Sequence, residues 1–83
     1  MAAKVTIDME WDVEKQTFRC AALTTGKGKV KTFESLSELT QALSKLSSST
    51  VIGGHYVVSD LMMLVKWGQA WCIPSRLTIE DSL

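Results

Sequence analysis

The sequence predicts one mixed α/β domain on a single sheet, an antiparallel three-stranded meander followed by two helix–strand units in the order β-β-β-α-β-α-β. Three observations carry this. Apolar residues alternate at period two from Lys4, the spacing changes to three and four at Phe33, and short apolar runs bounded by glycine or hydroxyl residues follow. The 83 residues allow one core and exclude two domains, so residues 1–83 are read as one unit. With 46% hydrophobic and 22% charged residues, the chain is expected to pack and is neither disordered nor of low complexity.

From Lys4 to Trp11, Val5, Ile7, Met9 and Trp11 share one face, and Thr6, Asp8 and Glu10 the other, which predicts a strand. Asp12 to Gln16 is a short polar turn, and Thr17 to Thr24 is rich in strand formers, so the two runs form an antiparallel hairpin. Two glycines between Thr25 and Lys29 turn the chain again, and Val30 to Phe33 completes the meander. Phe33, Leu36, Leu39, Leu43 and Leu46 then trace the stripe of an amphipathic helix, opened by a capping box at Ser35 and Glu38 and stopped by Ser47-Ser-Ser-Thr50. Val51-Ile52 reads as a buried strand ended by Gly53-Gly54-His55. Because a helix precedes it, the crossover rule makes it parallel to a neighbour. Ser59 caps a second helix from Asp60 to Trp67, with Leu61, Leu64 and Val65 inward and Gly68 as its left-handed end. Ser75 to Asp81 is the last strand. No helix follows to cover it, so the domain is expected to be partial, with Leu77, Ile79 and Leu83 uncovered.

Nine Lys+Arg balance nine Asp+Glu, so no global field attracts nucleic acid and any such contact must be local. The apolar run Leu61 to Val65 is too short to span a bilayer, and the N-terminus lacks a signal-peptide core; no membrane partner is expected. Cys20 and Cys72 lack any Cys-x-x-Cys spacing, which fits a reducing, cytoplasmic setting.

Asp8 and Glu10, two apart on a strand, place two carboxylates on one face. Such a pair can chelate a hard divalent cation, Mg²⁺ or Mn²⁺; it can equally be the solvated side of a strand. Asp60, at a helix start, suits the helix dipole as well as a metal. His55 and Tyr56 follow the diglycine, where a general base or metal ligand at His55 and a base-stacking ring at Tyr56 are alternatives to an ordinary loop. Trp67 offers the same choice between stacking and core. Lys27, Lys29 and Lys31 surround the glycine turn without Walker spacing, and Met62 and Met63 read as core filling.

Taken together, Ile7-Asp-Met-Glu10 and Ile52-Gly-Gly-His-Tyr-Val-Val-Ser-Asp60-Leu61 resemble the first two motifs of the DEDD 3′-to-5′ exonucleases. The second is similar to Gly-His-Asn-x-x-x-Asp-Leu. With Trp67-Gly68, Ile73-Pro74 and Ile79-Glu-Asp-Ser-Leu83, the resemblance spans nearly all of Val5 to Leu83 and points to the proofreading domain preceding the polymerase in family A DNA polymerases of bacteria and phages. It implies a truncated ribonuclease H-like fold and two-metal phosphodiester hydrolysis at 3′ ends of single-stranded DNA in replication. Asp8, Glu10 and Asp60 would be the catalytic metal ligands for Mg²⁺ or Mn²⁺, and His55 and Tyr56 substrate-binding residues, in the cytoplasm of a bacterial or phage-infected cell. Two departures stand out: Tyr56 replaces the motif's asparagine, and the third motif, with a fourth carboxylate and a Tyr or His, has no counterpart. The resemblance thus implies a chain with little activity alone, or completed by a partner polypeptide. A non-catalytic interaction module that forms a homo-oligomer or binds a partner chain is the alternative.

Overall fold

The structure is a computed structural model and describes residues 4–25 and 28–82. Its elements are β1 (Lys4–Asp12), β2 (Thr17–Thr25), β3 (Val30–Phe33), α1 (Leu36–Ser44), β4 (Val51–His55), α2 (Val57–Lys66), a 3-10 turn at Ala70–Cys72 and β5 (Thr78–Ser82). Gly26 and Lys27 of the expected glycine turn, and Leu83, lie outside the described residues. The five strands form one mixed sheet in the order β3-β2-β1-β4-β5. β1, β2 and β3 are an antiparallel meander, while β4 pairs parallel with β1 and β5 parallel with β4. The meander and the parallel return after α1 follow the expectation.

The alternation in β1 decides which face is covered. Val5, Ile7 and Met9 are buried with Ala21 and Leu23 of β2 and Ile52 of β4, and Leu39 and Leu43 of α1 and Val57, Leu61 and Leu64 of α2 complete the same cluster. Both helices therefore lie on one face of the sheet. Full burial of a Leu or Ile side chain contributes about 1.5–3 kcal/mol, so Ile7, Leu39, Leu43, Ile52 and Leu64, each at most 1% exposed, hold most of the fold. The opposite face carries Thr6, Asp8 and Glu10 in the open. On that face the Lys4 ammonium reaches Glu80 at 2.6 Å across the side-chain-free Gly53 of the strand between them.

Ser35 caps α1 as expected, its hydroxyl accepting from the Glu38 amide at 3.2 Å. Several expectations are corrected, Met62 among them: read as core filling, it is 66% exposed. The diglycine does not end β4: Gly53 and Gly54 pair with Glu80 and Asp81, and the strand runs on to His55 because β5 holds its far edge. α2 begins at Val57, so Ser59 lies in its first turn and caps nothing; the residue at the cap is Tyr56, whose side chain makes no capping bond. That earlier start centres the inward stripe on Val57, Leu61 and Leu64 and turns Val65 out, at 55% exposure. The last strand begins three residues later than expected, after the 3-10 turn. Leu77 packs against the core, while Ile79, opposite the buried Ile52, is half exposed.

α2 ends as its glycine predicts. Gly68 has φ +77°, its amide donates to the Val65 carbonyl at 3.0 Å, and the Gln69 amide donates to Leu64 at 2.8 Å, the paired bonds of a Schellman end.

Candidate functional site

β1 and β4 pair only from Lys4 to Thr6 and then part company, β1 continuing beside β2 as far as Asp12. Gly54 sits at the fork. Its φ is +146°, and a Cβ there would lie 2.6 Å from the Ile7 carbonyl oxygen, so only a residue without a side chain lets β4 pass β1 and turn into α2. Past the fork, the β4-facing edge of β1 has no strand partner.

Asp60 fills that position. From the first turn of α2 its carboxylate accepts a hydrogen bond from the Met9 amide at 3.2 Å, and the residue is 4% exposed. The helix dipole and this bond both favour a carboxylate at the site. Asp60 thus reaches the backbone between the two other candidate acids. Asp8 and Glu10 themselves point to the open face, where they border a shallow hollow of about 250 Å³ with Cys20, Ala22, Thr32 and Glu34. Hence Asp60 approaches the β1 edge from the helix-covered side, and Asp8 and Glu10 leave it on the other. Among the described residues, no three His, Cys, Asp or Glu side chains gather into a group able to hold a metal ion. In chemical kind the donors still suit Mg²⁺ or Mn²⁺, three hard carboxylates on adjoining segments and no imidazole among them.

Cys20 is a neighbour that sequence reasoning missed. The hairpin register sets it opposite Glu10, and its thiol donates to Glu10 Oε2 at 3.6 Å. Lost hydration and the Glu10 carboxylate push its pKa above the usual thiol value. The signal lay in the turn length, which fixes the pairing, but a register shift between Glu10 and Trp11 obscures it.

His55 closes β4 on the same end of the sheet, and Tyr56 follows in the left-handed region at φ 56°, ψ 35°. Their rings meet edge to face, with centroids 4.1 Å apart, and Tyr56 is 54% exposed. The Tyr56 carbonyl accepts the Ser59 and Asp60 amides, tying the ring's backbone to the acid four residues on. Trp67 is not in the open. It packs edge-on against Trp11 and Phe18 and donates from Nε1 to the Gln16 carbonyl at 2.7 Å, so it belongs to the core's rim. Lys31 lies over the Phe33 ring at 5.6 Å, away from the acids. No helix is long and apolar enough to cross a membrane among the described residues.

Where the two parallel strands part beside the start of α2, the Asp60 carboxylate occupies the gap. Comparison with family profiles, with curated proteins and with solved structures returns no match, so the carboxylates around β1 are the ground for a functional reading.

Proposed function

We propose that this chain carries the first two carboxylate motifs of a DEDD-type 3′-to-5′ exonuclease domain with a ribonuclease H-like sheet, of the kind that proofreads for family A DNA polymerases. Its substrate is the 3′ end of single-stranded DNA, and a larger catalytic unit supplies the fourth carboxylate. What supports this reading is the order and spacing of the two carboxylate motifs, together with the nearness of Asp60 to the stretch of β1 that bears Asp8 and Glu10, although its carboxylate comes from the other side of the sheet. The meander followed by two parallel strands suits the fold that the motifs imply. Asp8, Glu10 and Asp60 would hold Mg²⁺ or Mn²⁺. Paired ions, when bound, supply the positive charge that stabilises an in-line displacement at a phosphodiester. In such a site the carboxylates would position that charge, and Asp60 would have to turn from the Met9 amide to join Asp8 and Glu10.

Titration with Mn²⁺, followed by calorimetry, tests the reading. Asp8→Asn and Asp60→Asn should each weaken binding about tenfold or more, while the side-chain amide oxygen that Asp60→Asn retains can still accept from the Met9 amide and preserve the fold. Unchanged affinity in both variants would overturn it. With three carboxylates the attacking water is poorly placed, so the chain alone should degrade single-stranded DNA slowly at most; rapid Asp8-dependent degradation would count against the need for a larger unit.

A second reading, a non-catalytic interaction module on the same sheet, is favoured by two observations: the Met9 bond gives Asp60 a structural reason to exist, and no three-ligand group forms among the described residues. The same titration separates the two.

A further inference from the structure

We propose that the outer edge of β3, with the face of α1 beside it, is a docking groove for an extended acidic peptide that joins the sheet as a further strand. The inference goes beyond the exonuclease reading and uses none of its carboxylates. It begins from the hydrogen-bond alternation of the meander. The Thr25 amide donates to the Lys29 carbonyl at 2.9 Å, and the register then pairs Leu23 with Lys31 and Ala21 with Phe33. In an antiparallel ladder every second residue bonds to the neighbouring strand, so Lys31 and Phe33 direct their backbone groups to β2, while Val30 and Thr32 turn theirs outward. The same alternation turns the Met9 amide of β1 away from β2 and toward Asp60. β3 ends the strand order, and no described strand takes up the outward groups. Beside this edge lies a hollow of about 360 Å³ lined by Lys31, Phe33, Glu38, Gln41, Ala42 and Lys45. The last four stand three, one and three residues apart on one face of α1, so strand and helix form the two walls of a groove with the buried Phe33 between them. A strand edge facing a helix across a groove suits strand addition, in which main-chain bonds give affinity and alternate side chains give selectivity. Charge then names the occupant. Two lysines against one glutamate leave the groove positive, and Lys29 adds a further cation next to the edge, in a chain whose formal net charge is zero. A second copy would set its own Lys29 and Lys31 against these lysines, and lysine on an edge strand opposes such self-pairing. A nucleic-acid phosphate would meet the lysines and leave the outward carbonyls of Val30 and Thr32 unmet. An extended peptide with an acidic side chain at every second position satisfies both, and β-branched residues on its other face would lie beside Val30, which is 62% exposed.

The test adds the peptide acetyl-Val-Glu-Val-Glu-Val-amide to the ¹⁵N-labelled chain at low salt and reads amide exchange residue by residue. The Val30 and Thr32 amides should gain protection by at least about fivefold, and those of Lys31 and Phe33, already bonded to β2, should change little. Lys31→Glu combined with Lys45→Glu should weaken binding roughly five- to fiftyfold and turn the preference to acetyl-Val-Lys-Val-Lys-Val-amide. Thr32→Pro removes an outward amide and none that faces β2, so it should abolish binding and keep a cooperative melting transition. Should that variant not fold, the charge reversal decides alone. An absence of binding, binding that leaves Val30 and Thr32 unprotected, or affinity indifferent to the charge reversal overturns the inference. Protection of the same two amides without peptide, rising with protein concentration, would assign the edge to a second copy and overturn it as well.

Discussion

At Gly54 two independent constraints fall on one residue, a φ of +146° and a carbonyl oxygen 2.6 Å from where a Cβ would stand. Gly54→Ala therefore has to strain its backbone and push β4 off β1 together. Strained backbone alone costs about 1–3 kcal/mol, and the clash adds to it, so urea unfolding should show a loss of at least about 3 kcal/mol. A loss below about 1 kcal/mol would mean that the fork is not the tight contact described. The cysteines give a second residue-scale test. Cys72 is 1% exposed, its thiol donates to the Gln69 carbonyl at 3.0 Å, and burial pushes its pKa above the usual 9.0. The folded state holds this proton more tightly than the unfolded chain, so the contribution is complete below the ordinary thiol pKa and is lost as pH rises from there through the folded value. Stability should fall above about pH 9, and less so in Cys72→Ala measured against its own neutral-pH value. Thiol labelling at neutral pH should reach the half-exposed Cys20 and spare Cys72 until the chain unfolds.

At the scale of elements, α2 presents two faces with separate consequences. Its inward Leu64 is fully buried, and Leu64→Ala should cost about 2–5 kcal/mol, read from the same urea curves. Its outer face shows Val58, Met62 and Val65 at 40%, 66% and 55% exposure, spaced four and three residues apart on one side. Much of this arrangement is legible in the chain. α1 could be read because Leu36, Leu39, Leu43 and Leu46 all fall on one stripe and Ser35 supplies the cap, both local facts. The start of α2 could not. Gly53-Gly54 looks like a stop because glycine is a poor strand former, yet β4 continues through it with β1 beside its first part and β5 along its whole length, a tertiary support invisible to a local pattern. Likewise, Asp60 could be named from the sequence as an acid at a helix start, whereas its bond to the Met9 amide depends on where β1 and β4 part. Tyr56 could be named from the sequence as an aromatic after the diglycine and a departure from a motif, but nothing in a tyrosine signals its left-handed backbone.

For the whole molecule, one face of the sheet is covered by both helices, and the other exposes Thr6, Asp8 and Glu10. Apolar side chains left to water include Val58, Met62 and Val65 on the outside of α2 and Ile79 of the edge strand β5, besides Val13, Val30 and Trp71 elsewhere on the surface. At about 25 cal/mol per Å², covering these side chains would contribute several kcal/mol, so a second copy or a partner polypeptide is the proposed occupant. Sedimentation should show association that grows with concentration and is abolished by Met62→Lys with Val65→Lys; a monomer at high concentration would refute it. Lastly, the clasp made by Trp67 has a kinetic meaning. Asp60 to Met9 and Trp67 to Gln16 both join residues 51 positions apart, so one docking of α2 onto the β1–β2 hairpin closes both contacts. Loops of that length close late relative to hairpin and helix formation, which places the junction of α2 with the hairpin among the last parts of the molecule to assemble. Trp67→Phe, which deletes the Gln16 bond, should then speed unfolding and leave the refolding rate nearly unchanged in stopped-flow fluorescence. That junction would be the first part lost when the chain opens, and amide exchange at Met9 would report its opening before the hairpin itself gives way.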